Sequence, residues 1–310
     1  MKKELNYLVI GAGGTGGCIA AYLTRGGKHT VVIARGAHLE AMKKQGLEIR
    51  KPHEQWTAPV HAMTEQEYLE CGGKADIIFV CVKGYSLDSV YDCIRRASHK
   101  ETVVIPILNI YGTGEQMQRK LPELTVLNGC IYVAAAIEKP GMIRQNGDIF
   151  RIVYGRLDGD VTSPVLKQVE QDLRDSGITP IFTDQVQRDT LQKFSFVSPM
   201  AAAGAYGDWS AGDYKQDGEA RALFIRCVKE IDALACAMGI PFPVDIVKTN
   251  MTIMNGLDDE CTASLQKDLK KGGTTEADGL ISEVVRMGER FGVETPAYRM
   301  IAEKICGFRG

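Results

Sequence analysis

The sequence predicts an α/β protein, with a doubly wound parallel sheet over residues 1–183 and an all-helical region over 184–310. Three observations carry that expectation. Short, near-continuous apolar runs alternate with helical patterns through the first half, the form strands take when both faces of a parallel sheet are covered. A glycine-rich hexapeptide separates the first apolar run from the first helical one. From about Asp184 the apolar residues fall at helical spacing, and strand signals nearly vanish.

The expected strands are 7–10, 29–34, 75–82 and 102–107, followed by weaker ones at 124–127, 150–154 and 179–182. A helix is expected over 165–175. In the second half Ala222, Ile225, Val228, Ile231, Leu234 and Ala235 trace a helical stripe. Further helices are expected at about 186–206, 243–254, 260–270, 277–291 and 295–307, with Pro241, Pro243 and Pro296 marking breaks or starts.

A chain of 310 residues suggests about two domains. A hydrophobic share of 45% with 25% charged residues suits a soluble globular protein. A net charge of −2 offers no basic field to attract nucleic acid. No apolar stretch reaches the ~18 residues of a membrane span. The start, Met1-Lys2-Lys3-Glu4-Leu5-Asn6, lacks the apolar region and cleavage site of a signal peptide, so the expected location is cytoplasmic. The nine cysteines are odd in number and form no C-x-x-C pair, which reads as reduced thiols with no metal site. All five histidines (His29, His38, His53, His61, His99) lie in the first third, so the helical region has none to offer as an acid.

Gly11-Ala12-Gly13-Gly14-Thr15-Gly16 is a G-x-G-x-x-G directly between a strand and the helical run 18–23. In that setting it reads as the phosphate loop of a Rossmann-type domain. Gly11 permits the tight turn, Gly13 lets backbone approach a pyrophosphate, and Gly16 allows close helix–strand packing. The next strand ends at Ala34-Arg35, where enzymes using NAD carry an acid for the ribose hydroxyl. A guanidinium suits a 2′-phosphate instead, so the expected cofactor is NADPH/NADP+; the alternative for Arg35 is a solvated surface arginine. Lys83 and Asn109 fall at the C-terminal ends of later strands, where a doubly wound sheet binds ligands. Each could equally be a loop-capping polar residue.

Reducing a ketone takes a hydride from the nicotinamide and a proton from the protein. Without histidine, the helical region must supply Lys, Tyr, Glu, Asp or Cys. Lys193 stands in a strongly apolar helix, Leu191-Gln192-Lys193-Phe194-Ser195-Phe196-Val197. Partial desolvation there would lower its pKa toward the working pH; the alternative is a lysine whose head reaches water. Ser264 and Asp268 share one helical face. Glu276 follows a glycine turn and opens a helix, where a plain first-turn carboxylate is the other reading.

Together these residues make the chain resemble the ketopantoate reductase (2-dehydropantoate 2-reductase) family over nearly its whole length. The likeness rests on the glycine loop, Arg35, Cys81-Val82-Lys83, Asn109, Lys193, and the pattern of Ser264, Asp268, Thr275 and Glu276. It implies a Rossmann-type NADP-binding domain and a helical substrate and catalytic domain. By that resemblance Lys193 is the proton donor, and Glu276 orients it or the substrate hydroxyl. Ser264 binds the substrate carboxylate, with Asp268 in the same segment. Asn109 touches cofactor and substrate, and Ala134 lies beside the cofactor. The substrate is a small 2-oxo acid, first of all ketopantoate, reduced to pantoate for pantothenate biosynthesis.

Two departures stand out. Better-known members carry asparagines about one and two turns after the lysine, where this chain has Val197 and Ala201, with Ser198 as a partial substitute. The turn around Asn109 also lacks the usual Asn-Gly. The alternatives are therefore a related reductase of another branched or aromatic 2-oxo acid, and a non-catalytic NADP-binding sensor. The apolar helices are compatible with a homodimer and equally with a monomer.

Overall fold

The computed structural model describes residues 4–308; Met1, Lys2 and Lys3, part of the start read above, lie outside the described residues. The chain divides into two compact units. One comprises the chain up to Leu108 with Gly112–Val186, and the other Asn109–Tyr111 with Gln187 onward.

The first unit runs β1 (Tyr7–Ile10), α1 (Gly14–Arg25), β2 (Thr30–Ile33), α2 (Gly36–Gln45), β3 (Leu47–Arg50), β4 (Gln55–Ala58), β5 (His61–Met63), α3 (Glu65–Glu70) and β6 (Ala75–Val80). A 3-10 turn over Gly84–Val90 follows, then α4 (Tyr91–Ala97), β7 (Ser98–Pro106), α5 (Thr113–Lys120), β8 (Thr125–Val126), β9 (Asn128–Lys139), β10 (Met142–Gly155), α6 (Pro164–Asp175) and β11 (Thr179–Phe182). Six strands form a parallel sheet in the order β5-β2-β1-β6-β7-β8. The order reverses at β1, which pairs with β2 on one side and β6 on the other, and ligands bind beyond the carboxyl ends at such a point. β1 shows why its strand is apolar throughout. Tyr7 and Val9 join the core that contains α1, while Leu8 and Ile10 join the core with Ile94 of α4 and Met117 of α5.

A second sheet was not expected. β10 pairs antiparallel with β9 over most of its length, parallel with β3 near its start, and parallel with β11 near its end; β4 extends β3. The expected strand 150–154 is only the last part of β10. β10 carries an irregularity at Asn146-Gly147-Asp148, with Gly147 at φ 75° and a register shift between Asn146 and Arg151. Residues of α1 share one core with strands of both sheets, and eight of its twelve residues are buried.

The second unit contains α7 (Val186–Gly207), α8 (Ala211–Lys215), α9 (Glu219–Ala237), α10 (Ile246–Asn255) and α11 (Ser264–Lys271), then a π-turn over Asp278–Ser282, α12 (Glu283–Phe291) and α13 (Pro296–Cys306). Among the described residues no strand follows β11. The buried stripe of α9 is Leu223, Phe224, Cys227, Val228, Ile231, Leu234 and Ala235; Ala222 is exposed and Ile225 half-buried, so the stripe turns slightly from the one expected. Pro199 lies inside α7 and cannot donate to the Ser195 carbonyl four residues back. Asn250 of α10 supplies the missing donor, its Nδ2 2.8 Å from that carbonyl. Among the described residues no helix is long and apolar enough to cross a membrane.

Candidate active site

One set of candidate residues lies in the loop after β1. Cys81 N–H donates to the Ile10 carbonyl at 2.8 Å, and Gly11 N–H to the Ile33 carbonyl at 3.1 Å, so the loop leaves the sheet between β2 and β6. Gly11 has φ 99°, and a Cβ there would stand 2.9 Å from the Cys81 carbonyl. A Cβ on Gly16 would strike the Gly11 carbonyl, so glycine is what lets α1 close on the strand ends. At Gly13 the Cβ position has no neighbour within 4 Å, leaving open space over the loop. α1 has no side-chain cap and no acid in its first turn. Its first N–H groups and the positive end of its dipole therefore favour an anion there. Ala12, Gly13, Gly14 and Thr15 thus form a cradle of the kind a dinucleotide pyrophosphate fits. Burial pushes the neighbouring Cys81 thiol well up, making it an inert wall.

Gly14 adds something the motif does not require. A Cβ there would collide with the Ala135 carbonyl and approach the Ala136 backbone, so β9 packs directly on the start of α1. Ala134 is exposed beside that contact, paired with Asn146. The extra glycine is the signal that could have placed β9 here. Arg35, at the N-terminal boundary of α2, is exposed and makes no ion pair among the described residues; the first turn of α2 also lacks an acid. Lys83 is half-buried just after β6, at the boundary of the 3-10 turn. Sequence reasoning missed His38. Its Nδ1 accepts from Gly141 N–H at 3.0 Å, and burial holds the imidazole below its usual pKa while the Ala12 carbonyl pulls the other way.

Another set of candidate residues belongs to the helical unit. Lys193 of α7 is only 8% exposed, and its Nζ donates to Asn109 Oδ1 at 2.6 Å. The water-facing alternative for this lysine does not apply. Asn109 reaches it because Asn109–Tyr111 packs with the helices: the Tyr111 ring lies 6.0 Å from that of Phe194, and Ile110 fills the space beside Gly279, whose added Cβ would come within 2.5 Å of it. Glu276, just before the π-turn, is 7% exposed, unlike a plain first-turn carboxylate. Ser264 is exposed at the first position of α11 and makes no hydrogen bond to Lys193 or Asn109; Asp268, one turn on, is half-buried. α11 is docked instead by Gln266, whose Nε2 donates to the Trp209 carbonyl at 3.0 Å. Val197 is half-buried, and Ala201 lies in the helical core. Ser198 is fully buried, donates to the Leu280 carbonyl at 2.7 Å and lies 2.6 Å from Tyr298 Oη, so it does not stand in for a substrate-binding asparagine.

The family model for ketopantoate reductase PanE/ApbA matches residues 7–159, and the model for its C-terminal region matches 185–307. The chain belongs to the ketopantoate reductase family. It is accordingly a nicotinamide-dependent oxidoreductase. It is 26% identical to a 2-dehydropantoate 2-reductase of Mesorhizobium japonicum, with 93% of each chain covered. Among solved structures it resembles 2-dehydropantoate 2-reductase from Methylococcus capsulatus, with a TM-score of 0.86, 24% identity and 97% and 96% of the two chains covered. It resembles equally the ternary structure of a D-mandelate dehydrogenase with NADH and anilino(oxo)acetate, with a TM-score of 0.85, 21% identity and 97% of each covered. In this ketopantoate reductase relative, the helical unit presents a buried ammonium that donates to a neutral carboxamide. That bond fixes where the Lys193 ammonium points, which suits a group that must protonate or polarise a carbonyl oxygen.

Proposed function

We propose that this protein is an NADPH-dependent reductase of a 2-oxo acid, with ketopantoate, giving pantoate, as the first candidate substrate. The observation that carries the reading is the buried Lys193 ammonium held 2.6 Å from Asn109 Oδ1. Lys193 would give its proton to the ketone oxygen, and Asn109 would keep the ammonium aimed there. Glu276 would orient the lysine or the substrate hydroxyl. Ser264 and Asp268 would meet the polar end of the acid, the exposed hydroxyl of Ser264 being free to bind a carboxylate. NADPH, when bound, supplies the hydride; Gly11 to Gly16 would hold its pyrophosphate, with Lys83, Asn109 and Ala134 as further contacts. Arg35 and the acid-free start of α2 favour a 2′-phosphate over a bare hydroxyl. This role would place the protein in the cytoplasm, in pantothenate biosynthesis.

One observation favours a second substrate. Val197 and Ala201 offer no hydrogen bond after Lys193, and a site without such donors can discriminate among substrates by several kcal/mol. A different branched or aromatic 2-oxo acid is therefore the second reading. The deciding experiment follows loss of NADPH absorbance with ketopantoate and with a panel of branched and aromatic 2-oxo acids. Turnover fastest on ketopantoate supports the first reading, and turnover on another acid alone supports the second. Cofactor binding with no turnover on any acid overturns both.

A further inference from the structure

The segment that carries Glu276 and the helix that carries Lys193 are joined by a buried relay with no assigned role. After Glu276 the chain makes a π-turn over Asp278–Ser282, closed by Glu283 N–H donating to the Asp278 carbonyl. Single π-turns break the regular helical pattern and recur at functional sites. Within this one the Leu280 carbonyl accepts the Ser198 hydroxyl at 2.7 Å. Ser198 has one proton, and it is committed to that carbonyl, so the 2.6 Å contact with Tyr298 must be Tyr298 donating to Ser198 Oγ. The order is Tyr298 O–H to Ser198 O–H to Leu280 C=O, a chain in which each bond polarises the next. All three residues are almost fully buried. Tyr298 is fixed in turn, since Glu230 of α9 accepts the N–H groups of Ala297 and Tyr298 at 2.7 and 3.1 Å and caps the start of α13.

Its position in the chain gives the relay a function. Ser198 lies five residues beyond Lys193 on α7, about 7.5 Å along the axis. Leu280 lies four residues beyond Glu276, whose carbonyl accepts Leu280 N–H at 3.0 Å. Gly279, between them, is where Ile110 seats the segment that brings Asn109 to Lys193. A slip of the π-turn along α7 would therefore move Glu276 and Asn109 relative to Lys193.

We infer that Ser198, with Tyr298 behind it, is a positioning residue that sets the geometry of Lys193, Asn109 and Glu276 by clamping the π-turn to α7. The inference rests on the roles proposed for those three residues. Displacements of about 1 Å can cost about 100-fold in rate. Ser198→Ala should lower kcat about 10- to 100-fold on the best substrate while leaving NADPH affinity unchanged. Tyr298→Phe, which keeps the ring and the packing, should shift kcat the same way by a smaller factor. Both should displace the alkaline limb of the kcat–pH profile, because the surroundings of the Lys193 ammonium change.

The comparison variant is Ser195→Ala. Ser195 is an equally buried serine on the same helix, bonded to the Gln192 carbonyl and Asn250. It should lower Tm while leaving kcat and the pH limb in place. If Ser198→Ala does not fold, Tyr298→Phe decides. A wild-type enzyme that turns over while Tyr298→Phe and Ser198→Ala keep its kcat and pH limb, or match Ser195→Ala, overturns the clamp alone. Absence of turnover by the wild type on every 2-oxo acid removes the clamp together with the reading it rests on.

Discussion

The phosphate loop and the helical site solve their problems with different materials. Around Gly11 to Gly16 the work falls to backbone: a positive φ, two places where no Cβ fits, and a row of N–H groups at a helix start. Around Lys193 it falls to side chains, an ammonium on a carboxamide and a hydroxyl relay under a π-turn. A backbone site accepts any ligand with the right phosphate and cannot readily be tuned one atom at a time. A side-chain site can be altered residue by residue without disturbing the fold, and the apolar Val197 and Ala201 after Lys193 are positions of that kind. The lesson is that family membership fixes the cofactor half more firmly than the substrate half.

That contrast can be broken by experiment. The largest effect is expected from Lys193→Ala, which should cut kcat by about 10²- to 10⁴-fold, the usual contribution of a general acid. Fluorescence titration should find its NADPH affinity unchanged; full activity would remove Lys193 from the chemistry. Next comes Gly14→Ala. Its Cβ would meet the Ala135 backbone, which cannot move like a side-chain tip. We expect NADPH and NADH to weaken together by about tenfold or more, since the strain falls on the pyrophosphate end they share. A variant that binds both normally would show that β9 yields easily. The smallest and most selective change is Arg35→Ala. It should weaken NADPH by about tenfold, the value of one charge-assisted contact, and leave NADH almost untouched. Equal losses for both would undo the argument for a 2′-phosphate.

Legibility in the sequence followed the same division. The parallel sheet was readable because β1, β2, β6 and β7 are apolar on both faces, and the loop because six consecutive residues carry its geometry. The second sheet was not. β9 contains Ala134-Ala135-Ala136 and an exposed Ile137, and β10 is interrupted by Asn-Gly-Asp, so neither alternates cleanly. Lys193 could be singled out by its apolar neighbours, but its partner is 84 residues away, beyond the reach of any local pattern. Glu276 looked like an ordinary first-turn acid because the π-turn after it has no sequence signature. Ser198 was read only as a partial substitute for an asparagine, because its acceptor, the Leu280 carbonyl, exists only once that turn has formed.

The tripeptide Asn109–Tyr111 belongs to one unit by chain order and to the other by packing. The helical half is consequently not a separable module, and a fragment beginning at Gln187 would lack the Asn109 carboxamide to which Lys193 donates and the filler beside Gly279. During synthesis those three residues leave the ribosome well before α7 exists. The stitch they make can therefore be tied only once α7 has emerged, Lys193 following Asn109 by 84 residues.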